Sequence, residues 1–202
     1  MKSRREGFIF SAIGIIFLIV NITVEEYIYK THLVIDIMPD FIGCLFMMAG
    51  CMLLGKSTKL FRAASLFSIA GVLLSVLTIW QFDSNSIAAL IQALIGIVYI
   101  GLFWCYLSGI RKAAERAGEA KLAGQSASLG WLLLILRAGT IVFNYMFLMK
   151  DTSDQGILIA SGVIVFGVAL TAAEIFTVFI SFNSFRKLGK TLAVMRKENI
   201  CE

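Results

Sequence analysis

The chain has 202 residues, of which 59% are apolar and 15% charged, with a mean hydropathy of +0.88. A soluble domain carries about 25% charged residues and 45–50% apolar ones. An apolar excess of this size excludes a water-soluble core, because roughly half of a folded surface must face its solvent. One proline and one histidine leave no room for a collagen-like or proline-rich disordered chain. The composition describes an integral membrane protein that forms one domain over residues 1–202.

Crossing ~30 Å of hydrocarbon takes about 17–25 apolar residues in a helix. Six runs qualify: Gly7–Val24, Pro39–Gly55, Ala63–Trp80, Ile87–Gly109, Ala127–Leu148 and Ile157–Phe182. None alternates with a period of two, so the expected fold is all-α, a bundle of six transmembrane helices rather than a barrel.

In chain order, Lys2, Arg4 and Arg5 precede the first run as in a signal peptide. No small-x-small cleavage site stands before Glu25, which makes the run an uncleaved anchor. The segment Glu25–Met38 is predicted to lie on the outer membrane surface. Pro39 and Asp40 fit the first turn of the second helix, where a missing N–H costs nothing and a carboxylate complements the positive end. The connections Gln81–Ser86 and Met149–Gly156 are short, so runs three and four, and five and six, form adjacent antiparallel pairs. Ile110–Gln125 is predicted to extend run four as a helix, with Arg111 and Glu115 paired at i,i+4. Run six is long enough to tilt or to project past the lipid. In the basic tail 183–202, Phe185, Leu188, Leu192 and Met195 recur at helical spacing and should lie on the inner leaflet.

The charges set the orientation. With the N-terminus in the cytoplasm, the inner segments hold Lys2, Arg4 and Arg5; Lys56, Lys59 and Arg62; Arg111, Lys112, Arg116 and Lys121; and Arg186, Lys187, Lys190, Arg196 and Lys197. Lys30 and Lys150 alone fall outside, where Glu25, Glu26, Asp36, Asp40, Asp83, Asp151 and Asp154 gather. This is a positive-inside pattern with both termini cytoplasmic. The basic pI thus reflects topology and anionic lipid, and nucleic acid is excluded as a partner. Trp80, Tyr27, Tyr29 and Tyr145 fall near outer helix ends, and Trp104, Tyr106 and Trp131 near inner ones.

Pro39-Asp40-Phe41-Ile42-Gly43 opens a short second span, and Gly109-Ile110 precedes an Ala-rich helix. In these motifs, over roughly residues 30–135, the chain resembles a loose group of uncharacterised multi-pass membrane proteins of Gram-positive bacteria. The resemblance implies a bacterial plasma membrane and a multi-pass fold, and carries no activity with it.

Two ionisable residues fall well inside spans, Arg137 and Glu174. Unpaired, each costs ~2.5–3.5 kcal/mol near mid-membrane. At 1.5 Å per residue their depths from the inner face are about 15 and 12 Å, so adjacent helices bring them together. Thr140 and Asn144 share a face with Arg137; Thr171, Thr177 and Ser181 share one with Glu174; Gln92 stands near the outer end. These form a candidate polar seam that meets the donors of the guanidinium. Two readings stand open: a solute or proton site, or a salt bridge that selects which helices pair. Gly139 is the one candidate break in run five.

Catalytic constellations fall short. His32 alone makes no two-histidine metal site. His32, Asp36 and Asp40, at i, i+4 and i+8, read as a solvated acidic loop rather than a cation site. Glu25-Glu26-x-x-x-Lys30 is similar to the Glu-Glu-x-x-x-Arg motif of intramembrane CAAX-type proteases but lacks their further histidines. Cys44, Met48, Cys51 and Met52 make a sulfur stripe like a copper-channel filter, better read as adaptable packing. Phosphate-binding glycine loops are missing, and no metal or cofactor is expected. The four cysteines lie in spans or in the tail and should be free thiols. Beyond the lipid bilayer, the expected partner is a membrane protein that the chain assembles with or regulates. The alternative is a small-solute transport component: size and six spans resemble the substrate subunits of energy-coupling-factor transporters. Their Ala-x-x-x-Ala is replaced here by Ser11-Ala12-Ile13-Gly14-Ile15-Ile16.

Overall fold

A computed structural model describes residues 2–19, 23–28, 31–36, 40–78, 85–149 and 155–198, with side chains over 5–19, 40–77, 90–91, 93–142 and 165–188. Six helices carry the fold: α1 (Lys2–Ile19), α2 (Asp40–Leu54), α3 (Lys59–Thr78), α4 (Asn85–Arg116), α5 (Ala120–Met149) and α6 (Gln155–Glu198). Four of them, α3 to α6, are long and apolar enough to cross a membrane. α2 is apolar but has 15 residues, about 22 Å at the helical rise, and falls short of the ~30 Å expected of a full span.

The segment expected on the outer membrane surface folds as a two-stranded antiparallel hairpin, β1 (Thr23–Ile28) and β2 (Thr31–Asp36). Thr23, Val24, Tyr27, Ile28, Thr31, Val34 and Ile35 are β-branched or aromatic, types that prefer a pleated backbone. Thr23 and Val24 therefore leave the first apolar run, which ends at Ile19 as a helix. On a strand, His32 and Asp36 stand about 13 Å apart, so the helical grouping of His32, Asp36 and Asp40 does not form.

Each helix packs on its neighbour in sequence, and α6 returns to α1, closing a ring. The adjacent pairs α3 with α4 and α5 with α6 are among these contacts. One end of the ring is basic. There Arg116 donates to the Ser57 carbonyl (2.8 Å), Lys187 pairs with Glu119 (2.9 Å), and the Arg5 guanidinium lies 4.7 Å from the Phe185 ring centroid. Arg62 donates to the Gly55 carbonyl at 3.2 Å, meeting an acceptor that the end of α2 leaves open. The helix continuing α4 stops at Arg116 rather than running to Gln125, because Gly118 takes φ +73°, the left-handed geometry of a helix C-cap. Arg111 and Glu115 pair at 2.8 Å just before it.

α6 runs unbroken for 44 residues, about 66 Å, so no separate tail helix follows residue 182. Phe185 packs under Arg5 and Leu188 is buried: these apolar positions face the protein rather than a lipid surface. Leu192 and Met195 have side chains outside the described residues.

The tightest helix contact joins α1 to α2. A Cβ on Gly14 would stand 2.7 Å from the Gly43 carbonyl oxygen, and one on Gly50 would stand 2.6 Å from that of Gly7. Glycines seven apart on both helices, with Ser11 between Gly7 and Gly14, let the backbones meet. Small residues at an interface serve helix packing in lipid in this way.

The ring interior at the basic end is aromatic. Phe61 packs edge-on to Phe8 and to Tyr106, at centroid distances of 6.3 and 5.9 Å. Tyr106 is fully buried, not a belt residue, and its hydroxyl lies 2.9 Å from Ser181 Oγ. Trp104 and Trp131 pair at 4.8 Å. The outer wall is apolar: Leu66, Leu73, Val168 and Phe179 are each about two-thirds exposed. An apolar surface this continuous is unusual in water and ordinary in hydrocarbon.

Candidate functional site

Halfway along the ring, Arg137 of α5 and Glu174 of α6 meet. Arg137 Nη2 donates to Glu174 Oε1, and the two side chains are 12% and 7% exposed. α5 and α6 pack as antiparallel neighbours, so residues at similar depth from a shared end face each other. Gly139 does not interrupt α5, which is continuous from Ala120 to Met149. A Cβ there would stand 2.4 Å from the Phe166 ring; the glycine brings α6 close rather than breaking α5.

The guanidinium also sits on two rings of α4. Its carbon lies 5.0 Å from the Tyr99 centroid and 4.9 Å from that of Phe103. Ring faces carry partial negative charge, and a cation over one gains ~0.5–2 kcal/mol, the larger figure where water is excluded. Arg137 Nε is buried with no acceptor among the described residues. The described hydroxyls of the predicted seam do not meet the guanidinium. Thr140, Thr171 and Thr177 each donate to the carbonyl four residues back, of Leu136, Gly167 and Ala173, at 2.9, 3.0 and 3.0 Å. A threonine inside a helix has that carbonyl within reach without moving. Thr171 is exposed, and Ser181 serves Tyr106 at another level. The Asn144 and Gln92 side chains lie outside the described residues.

The site extends toward α2 through Tyr99, which the sequence pattern does not single out, and through Cys44 and Asp40, which it assigns to other roles. Cys44 Sγ donates to the Tyr99 hydroxyl at 3.7 Å. Asp40, in the first turn of α2, lies within electrostatic range of Cys44, Tyr99 and Glu174. The start of α2 is thus electrostatically linked to the same group of side chains as the ion pair. Its sulfur stripe divides: Cys44 and Cys51 are fully buried whereas Met52 is 61% exposed, so these atoms do not converge as metal ligands.

Chemically, the arrangement holds a guanidinium and a carboxylate in a dry interior, backed by two rings and joined to three helices. Comparison with known protein families, with curated proteins and with solved structures gives no match.

Proposed function

We propose that this chain is a six-span protein of the bacterial plasma membrane with both termini in the cytoplasm, acting as a non-enzymatic component that assembles with or regulates a membrane partner. The observation that carries the reading is the pairing of Arg137 within the protein. Glu174 takes its charge, and Tyr99 and Phe103 take its face. A guanidinium occupied this way ties α4, α5 and α6 together, which is what a helix-selecting salt bridge requires. The basic end of the ring, with Arg5, Arg62, Arg116 and Lys187, supports a cytoplasmic assignment for that end. α1 and α2 complete the six spans in this reading, and bilayer thinning accommodates the short α2.

A second reading rests on Asp40. Two carboxylates in range of one interior, Asp40 toward the hairpin end and Glu174 deeper, suit a small cationic solute entering from outside, as in a transport component. A thermal-shift screen of the purified chain against amines, amino acids and vitamins separates the two. The first reading expects no stabilising solute. A solute that stabilises the native chain, and loses that effect in Asp40→Asn, decides for the second.

A further inference from the structure

The outer face of α5 and α6 carries a groove of about 780 Å³, and Gln125, Ser128, Leu132, Phe179, Asn183 and Arg186 are among its walls. This volume lies in the usual range for a small-molecule site. Its polar and apolar parts are sorted by depth. Because Arg137 and Glu174 stand at one level and the helices are antiparallel, equal steps along each define further levels. Leu132 stands opposite Phe179, about 8 Å from the pair. Ser128 stands opposite Asn183 at about 14 Å, and Gln125 opposite Arg186 at about 18 Å. Half of a ~30 Å hydrocarbon layer is about 15 Å. The polar rungs therefore fall at headgroup depth and the apolar rungs at acyl-chain depth.

Arg186 forms no ion pair with a described residue, whereas its neighbour Lys187 pairs with Glu119. Gln125, Ser128 and Asn183 are likewise without a side-chain partner among the described residues. One cation and three polar side chains at the rim of an apolar trough complement a phosphate on two hydrocarbon chains. We propose that the α5–α6 groove binds one anionic phospholipid of the inner leaflet, its phosphate on Arg186 and its chains along Leu132 and Phe179. The proposal rests on the membrane placement given above. Reporter fusions test that placement separately, since a different topology alters fusion activity without altering lipid selectivity in detergent.

The test is native mass spectrometry of the full chain in detergent, titrated with dioleoyl phosphatidylglycerol or dioleoyl phosphatidylcholine. A single phosphatidylglycerol adduct is expected, favoured over phosphatidylcholine. Arg186→Gln should weaken it about tenfold, as for loss of one charge-assisted hydrogen bond. Lys56→Gln, which removes an exposed cation elsewhere at the basic end, should leave it unchanged. Arg186 is exposed, so its variant folds. Equal binding of both lipids overturns the proposal, as does an equal loss in the two variants, which would mean diffuse attraction only. A dimer that Phe179→Ala abolishes also overturns it, because a second copy would then fill the groove.

Discussion

The hydroxyls of Tyr106 and Ser181 lie 2.9 Å apart and join α4 to α6 inside the ring. Ser181 also donates to the Thr177 carbonyl at 2.8 Å. Its one proton is thereby used, so Tyr106 is the donor of the pair. Tyr106→Phe removes that donor and leaves Ser181 still bonded to Thr177. Ser181→Ala instead strands a buried phenol. Thermal unfolding in detergent should show a loss of about 1 kcal/mol for Tyr106→Phe and a larger one for Ser181→Ala. The reverse order would mean that Tyr106 accepts rather than donates.

The glycine contacts between α1 and α2 predict opposite signs for one chemical change. Gly14→Ala places a methyl against the Gly43 carbonyl and Met47; overpacking of this kind costs about 1–3 kcal/mol. Gly124→Ala on α5 meets nothing within 4 Å and should raise stability by about 0.5–1 kcal/mol, the helix-propensity gain. Melting temperatures by size-exclusion fluorescence would reveal the split, and equal effects would show that α1 and α2 do not pack on these glycines.

Much of the site was legible in the sequence because depth in a membrane is arithmetic. Counting residues from the inner ends put Arg137 and Glu174 within about 3 Å of one level, and a charge in hydrocarbon needs a counter-charge. What escaped was whatever one-dimensional patterns cannot distinguish. Tyr99 and Phe103 sit in an apolar run, where an aromatic ring under a cation reads the same as one against lipid. Thr140, Thr171 and Thr177 shared faces with the pair, but a helical hydroxyl finds its own backbone first. Gly7, Gly14, Gly43 and Gly50 carry a seven-residue spacing, but nothing in a single run shows which other helix it will meet. Phe185 and Leu188 gave an amphipathic pattern that suits a membrane surface and a protein groove equally well. Here α1, against which α6 returns, takes the place of lipid at Phe185.

The thiols report whether the ring is closed. Cys44 and Cys51 are fully buried and Cys105 partly so. With Cys201 in the cytoplasm, as the proposed topology has it, a membrane-impermeant maleimide applied to intact cells should therefore leave the protein unlabelled. Rapid labelling at Cys44, the thiol beside Tyr99 and nearest the hairpin end of the three, would mean that the interior opens to outside water and would favour the solute reading.

Topology has its own test. Alkaline phosphatase fused after Ser153 should be active in a bacterial host, and fusions after Gly118 or after Glu202 inactive. An active fusion after Glu202 would contradict six spans with both ends inside.

In the proposed reading Arg137 and Glu174 act as one structural clamp, and a double-mutant cycle on folding stability measures that coupling directly. Arg137→Met and Glu174→Leu should each cost about 3–5 kcal/mol, because each leaves the other charge without its partner, whereas replacing both with apolar residues is often neutral. The double variant is expected to recover most of the melting temperature and expression lost by either single one. If its loss instead equals the sum of the two, the residues do not support each other, and the clamp that ties α5 to α6 is wrong.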